Sequence, residues 1–210
     1  MLNNASVRHA VSGVVDPVAR TLLRAGVSPD AVTLVGTAGS SVAALVFFSR
    51  QMWTVGVLVI LAFVFSDLLD GTMARMSGRS GPWGAFLDST LDRVADGAMF
   101  GGIVLGFASA GQLWTSGVAL GCLVGGAVVS YAKARAEGLG VACNVGIAER
   151  AERLIIAGVA ALMFGLGVPY ALPAALWFLL AITWFTVGQR ILHVRRELRA
   201  LDPEPTGASE

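Results

Sequence analysis

The chain has 210 residues, of which 55% are hydrophobic and 14% charged, with a mean hydropathy of +0.72. Soluble domains carry about a quarter charged residues, and several apolar stretches here match about 30 Å of hydrocarbon, so the chain reads as a multi-pass membrane protein. Disorder, a collagen-like repeat and a secreted disulfide scaffold are excluded, and 15 basic against 14 acidic residues argue against a strongly basic nucleic-acid binder.

Residues 1–25 lack the continuous apolar run of a cleavable signal, and 1–27 are expected to form one interfacial helix. Val7, Val11, Val14, Val15, Val18 and Leu22 recur at helical spacing with Arg8, Asp16, Arg20 and Arg24 between them, which predicts an amphipathic helix lying along the membrane surface. Six spans are predicted after it, at 31–49, 53–73, 84–107, 113–133, 153–168 and 171–191. Pro29 stands before the first, and Pro169 and Pro173 mark the last turn. Residues 202–210, with Pro203 and Pro205, read as a flexible tail. The expectation is an all-α fold forming one membrane domain over 1–210.

Small residues recur at fours, at Gly97 and Gly101 and at Gly117, Gly121 and Gly125. That spacing lets helices approach closely, within the chain or at a seam between two copies. Cys122 and Cys143 make neither a disulfide framework nor a metal motif. The five tryptophans read as interface anchors. His9 and His193 fall near predicted membrane interfaces and are expected to be solvated, with no acid–base or metal role.

Charge sets the expected orientation. Arg8, Arg20 and Arg24 precede the first span, and Arg75, Arg79 and Arg93 surround the second connection. Lys133, Arg135, Arg150 and Arg153 surround the fourth, and Arg190, Arg195, Arg196 and Arg199 follow the sixth span. Only Arg50 falls on the opposite side. An excess of Lys and Arg marks the cytoplasmic face, so both termini are expected there, in the cell membrane.

The chemistry concentrates between Asp67 and Asp92. Asp67 and Asp70 are three apart in one apolar helix, and Asp88 and Asp92 are four apart in the next. Each pair therefore shares a helix face. A turn containing Gly78, Ser80, Gly81 and Pro82 can bring the two faces together. A carboxylate inside a bilayer costs about 2.5–3.5 kcal/mol, and like charges nearby add to that. Protonation or a hard divalent cation can offset the cost. Short Asp ligands on two helices suit Mg²⁺, with Mn²⁺ the alternative. Two ions bridged by shared carboxylates form the clamp common in phosphoryl transfer. Gly71 and Gly84 remove side chains beside these acids, so a nucleotide can lie against the backbone there or the helices can pack closely. Asp96, one turn further on, reads equally as a supporting or a salt-bridging group.

The run Asp67-x2-Asp70-Gly71-x2-Ala74-Arg75-x8-Gly84-x3-Asp88-x3-Asp92 resembles the complete signature of the CDP-alcohol phosphotransferases. The resemblance implies that Asp67, Asp70 and Asp88 hold two metal ions. Asp92 would contribute to one of them and act as general base. It also implies that Gly71, Ala74 and Arg75 line the cytidine diphosphate site and that Gly81 contacts the diphosphate. Ser28-Pro29-Asp30-Ala31-Val32-Thr33 resembles the family's loop before the first span, so Asp30, Ala31, Val32 and Thr33 are expected to close over CDP-diacylglycerol. Homodimers are expected.

The signature leaves the acceptor open. Lys133-Ala-Arg135-Ala-Glu137 and Glu149-Arg150-Ala-Glu152-Arg153 resemble segments of the actinobacterial phosphatidylinositol-phosphate synthases in the same family, although Ala151 replaces a proline frequent in those relatives. That likeness implies inositol 1-phosphate as acceptor, with Lys133, Arg135, Arg150, Arg153 and Arg190 as candidates for its phosphate, a group the Arg fork suits. Phosphatidylglycerophosphate synthesis from glycerol 3-phosphate is the competing expectation. A divalent-cation or proton-coupled transporter is disfavoured, because the acids stop at the predicted cytoplasmic half and the outer halves are apolar.

Overall fold

The computed structural model describes residues 4–78 and 81–201, and every regular element among them is helical. The chain forms two compact units, Met1–Gly106 and Phe107–Glu210. The predicted tail at 202–210 lies outside the described residues.

The first unit opens with α1 (Asn4–Arg24), packed on α3. Val15 and Ala19, one turn apart, are buried, whereas Val18 is exposed. The side chains of Val7, His9, Val11 and Val14 lie outside the described residues.

Helix α2 (Pro29–Ala43) begins where its sequence instructs it to. Ser28 is the N-cap, its Oγ accepting the Ala31 N–H at 3.2 Å, and Pro29 takes the first helical position. The span expected to begin at Ala31 thus starts two residues earlier, and Asp30–Thr33, which resemble the family's loop before that span, form its first turn. The helix runs on through a π-helical turn, Ala44–Phe48. α3 (Trp53–Met76) ends with Ser77 as C-cap and Gly78 at φ 65°, a left-handed closing residue that glycine adopts without strain. α4 (Pro82–Ser109) starts with proline, as helices tolerate.

Glycines set the closest approaches here. A methyl on Gly102 would strike the Ala44 carbonyl, and one on Gly106 the Phe48 carbonyl and the Trp53 ring. The start of α3 therefore lies beside the end of α4. A five-residue connection joins their other ends, so the two helices are antiparallel.

The second unit holds α5 (Leu113–Glu137), α6 (Arg150–Gly165) and α7 (Ala171–Leu201). Gly121 and Gly125 on α5 admit Leu180, Thr183 and Trp184 of α7, and Trp184 Nε1 donates to the Gly121 carbonyl at 3.2 Å. A methyl on Gly117 would meet nothing within 4 Å, so the spacing at fours is a packing seam only in part.

Among the described residues, four helices are long and apolar enough to cross a membrane: Pro29–Phe48, Trp53–Met76, Leu113–Glu137 and Ala171–Ala200. α4 has the length but carries Asp88, Asp92 and Arg93 in its first half and Asp96 just past its middle. α6 has 16 residues, about 24 Å at 1.5 Å per residue. The protein is membrane-embedded. Two boundaries moved most: α5 and α7 run past their apolar stretches to Glu137 and Leu201.

Candidate active site

The connection 77–81 organises the acidic helices. Asp70 lies six residues before the end of α3 at Met76, and Asp88 six residues after the start of α4 at Pro82. At 1.5 Å per residue both stand about 9 Å from the turn. Asp67 and Asp92 occupy the next level, nine and ten residues from the same ends. Two antiparallel helices thus carry the four aspartates in matched pairs. Asp88 is exposed and Asp70 half-buried. Asp92 is about one-quarter exposed, with Arg93 Nη2 at 3.7 Å from its Oδ2. Asp96 is buried.

Among the described residues, no three carboxylates, histidines or cysteines gather closely enough to hold an ion by themselves. The Asp67 side chain, one of the four expected ligands, lies outside the described residues. The donor chemistry fits a hard divalent cation, because Asp70, Asp88 and Asp92 offer carboxylate oxygens only.

The glycines separate into two kinds. Gly102 and Gly106 are pressed against backbone, but a methyl on Gly81 or Gly84 would meet nothing within 4 Å, and one on Gly71 would meet only Arg75 Nη1, at 3.6 Å. Close helix packing therefore does not explain the three glycines of the signature region. They leave open backbone beside the aspartates.

Arg75 is exposed and folded along α3, its Nη2 donating to Thr72 Oγ1 at 3.0 Å. The Thr72 hydroxyl donates in turn to the Leu68 carbonyl at 2.8 Å. Ala74 is half-buried on the same helix. At the start of α2, Ala31, Val32 and Thr33 are half-buried, and the Thr33 hydroxyl donates to the Pro29 carbonyl at 3.1 Å. Asp30 Oδ2 accepts the Trp83 indole N–H at 3.1 Å across 53 residues. That bond ties the first turn of α2 to the first turn of α4, between Gly81 and Gly84. The Trp83 contact was not anticipated; its position inside the signature gap was the available signal.

The basic candidates occupy the second unit. Lys133 is half-buried and Arg135 exposed near the end of α5, and Arg150 is half-buried at the start of α6. Arg153 and Arg190 are 2% and 3% exposed. Arg153 Nη1 donates to the Ala148 carbonyl at 2.9 Å. Arg190 donates from Nε to Val145 at 2.9 Å and from Nη1 to Val129 at 2.6 Å, with Glu149 Oε1 at 3.9 Å from Nη2. These two arginines are brought together on the segment 145–149; no such contact gathers Lys133 or Arg135 with them among the bonds described.

His193, expected to be solvated, is half-buried and bonds through Nε2 to the Ala142 carbonyl at 3.0 Å. Cys143 is fully buried with Ala136 and Val141. Thr186, Arg190 and His193 share one face of α7 at helical spacing, a sequence signal that would have located this loop.

Among the described residues, helices fit to cross a membrane accompany aspartates at matched levels along α3 and α4 beside open glycines, a donor set suited to divalent cations and phosphoryl transfer. The model of the CDP-alcohol phosphatidyltransferase family matches residues 26–188, and the chain belongs to that family. It is accordingly a phosphotransferase. Phosphatidylinositol phosphate synthase of Streptomyces avermitilis is 50% identical over 207 residues, covering 95% of this chain and 85% of its own length. The synthase of Cutibacterium acnes is 46% identical over 193 residues, covering 87% and 93%. In structure, the chain is similar to Mycobacterium tuberculosis phosphatidylinositol phosphate synthase with CDP-DAG bound, with a TM-score of 0.83, 39% identity, and coverage of 86% of this chain and 93% of that one. The same synthase in complex with manganese and citrate superposes with a TM-score of 0.80 at 39% identity, covering 87% and 89%.

Proposed function

We propose that this enzyme transfers the phosphatidyl group of CDP-diacylglycerol to inositol 1-phosphate, giving phosphatidylinositol phosphate and CMP. The observation that carries the reading is the likeness, over nearly the whole chain, to synthases of that product. The aspartate pairs levelled across the connection 77–81 support the same chemistry.

Asp67, Asp70, Asp88 and Asp92 are the residues that would hold the divalent ions, two Mg²⁺ by preference with Mn²⁺ as substitute. When bound, such ions supply Lewis-acid neutralisation of the diphosphate. Asp30, Ala31, Val32, Thr33, Gly71, Ala74, Arg75 and Gly81 bind the donor. Asp30 and Trp83 keep the start of α2 beside the start of α4, and the open glycines let the nucleotide lie against backbone. Asp92 takes the proton from the acceptor hydroxyl. The freed oxygen forms a bond to the β-phosphorus that bears the lipid, and the bond from that phosphorus to the CMP oxygen breaks. A carboxylate in this role needs correct placement and the ionised form more than a raised pKa. Lys133, Arg135, Arg150, Arg153 and Arg190 receive the acceptor's phosphate.

The same reading has α4 and α6 completing six spans, α1 at the interface and the site on the cytoplasmic side of the cell membrane. It also pairs two copies of the chain. Gly97 and Gly101, four apart on α4, are the small residues along which such a seam would run. CMP release by purified protein with Mg²⁺ and CDP-diacylglycerol tests the acceptor, using inositol 1-phosphate, glycerol 3-phosphate, serine and free inositol in turn. Turnover with inositol 1-phosphate is expected. Turnover with glycerol 3-phosphate alone overturns the acceptor and leaves the family chemistry standing.

A further inference from the structure

The connection 138–149 joins α5 to α6 without regular secondary structure. Structureless connections of this length inside a compact unit are usually functional or disordered. This one is pinned. Val141, Cys143 and Ala148 are buried. Gly146 has φ +132°, and a methyl there would lie 2.5 Å from Thr186 Cγ2, so backbone meets α7 at a point that only glycine allows.

Beside that contact, Ala148 is held at both ends. Its N–H donates to Thr186 Oγ1 at 3.1 Å, and its carbonyl accepts from Arg153 Nη1 at 2.9 Å. The Thr186 hydroxyl gives its own proton to the Ile182 carbonyl at 2.8 Å, so Oγ1 meets Ala148 as an acceptor. Thr186 and Arg153 are 0% and 2% exposed, where a lost partner is costly. The Arg153 guanidinium is thereby set from α7 by way of one loop residue, with its Nε 3.2 Å from where a methyl on Gly126 would stand.

We infer that Thr186 is a positioning residue for the acceptor's phosphate, acting through Ala148 on the Arg153 guanidinium. This rests on the reading above that Arg153 receives a phosphate-bearing acceptor. Thr186 itself touches no substrate. A side chain with only a packing role would, when altered, lower stability or weaken donor and acceptor together; a positioning residue splits them.

The test is CMP-release kinetics on the full-length protein with Thr186→Val, which keeps shape and removes the hydroxyl. The expected result is a KM for inositol 1-phosphate raised about tenfold, an unchanged KM for CDP-diacylglycerol, and recovery in Thr186→Ser. Combined with Arg153→Lys, Thr186→Val should add nothing to the acceptor KM of Arg153→Lys alone. Thr186→Ala, which removes the hydroxyl without the β-branch of valine, should show the same acceptor-selective change even where Thr186→Val folds poorly. Equal rises in both KM values, failure of serine to rescue, or additivity with Arg153→Lys overturns the inference. Wild-type protein that turns over no phosphorylated acceptor overturns the functional reading and this inference with it. Normal wild-type turnover with an unaltered acceptor KM in Thr186→Val and Thr186→Ala overturns the inference alone.

Discussion

Gly71→Ala separates a glycine kept for a substrate from one kept for packing. Gly71 lies inside α3, five residues before its end at Met76, where alanine is favoured over glycine by about 1 kcal/mol. The added methyl meets only Arg75 Nη1, at 3.6 Å, an ordinary contact. The variant should therefore be more stable than the parent, by about 2–4 °C for a chain of this size. If CDP lies against the Gly71 backbone, the same methyl intrudes on the nucleotide at an overpacking cost of about 1–3 kcal/mol. That corresponds to a donor KM raised about 5- to 150-fold, with the acceptor KM unchanged. Thermal unfolding in detergent and CMP-release kinetics read the two effects separately. Gly158→Ala on α6, where a methyl also meets nothing within 4 Å, is the control and should gain stability without a kinetic change. A Gly71→Ala enzyme that is stabilised and keeps its donor KM would refute the argument.

Further outcomes follow from the same geometry. Asp92→Asn should abolish turnover while CDP-diacylglycerol still binds, whereas Asp67→Asn should also lose Mn²⁺ binding, measured calorimetrically. Trp83→Phe removes the donor to Asp30 Oδ2 at a cost of about 1 kcal/mol for one hydrogen bond; the donor KM should rise about fivefold with kcat retained. Gly102→Ala drives a methyl into the Ala44 carbonyl, and such overpacking should destabilise the protein by about 1–3 kcal/mol, seen as a lower unfolding midpoint. A Gly102→Ala protein as stable as the parent would contradict the close approach of α4 to the π-helical turn.

The sequence by itself determined the helical class, the acidic signature and seven helices with boundaries within four residues, except the end of α7, which runs ten residues past the predicted span. Those features are local: runs of apolar residues set by bilayer thickness, and carboxylates at spacings of three and four whose shared face follows from helix geometry alone. Ser28 and Pro29 already spelled a helix start, and placing the first span from Ala31 came within two residues of it. Spacing did not distinguish Gly102, wedged against Ala44, from Gly84, which faces open space. That difference depends on what another helix brings to the position. Tertiary structure also decided that Arg153 and Arg190 are buried clamps on the connection 138–149, that Trp83 reaches Asp30, and that Thr186 and His193 belong to the same cluster. Each is a contact between residues 5 to 61 positions apart. Where the chain turns back on itself decides which donors meet which carbonyls, and that is a property of the packed chain, absent from any single stretch of it.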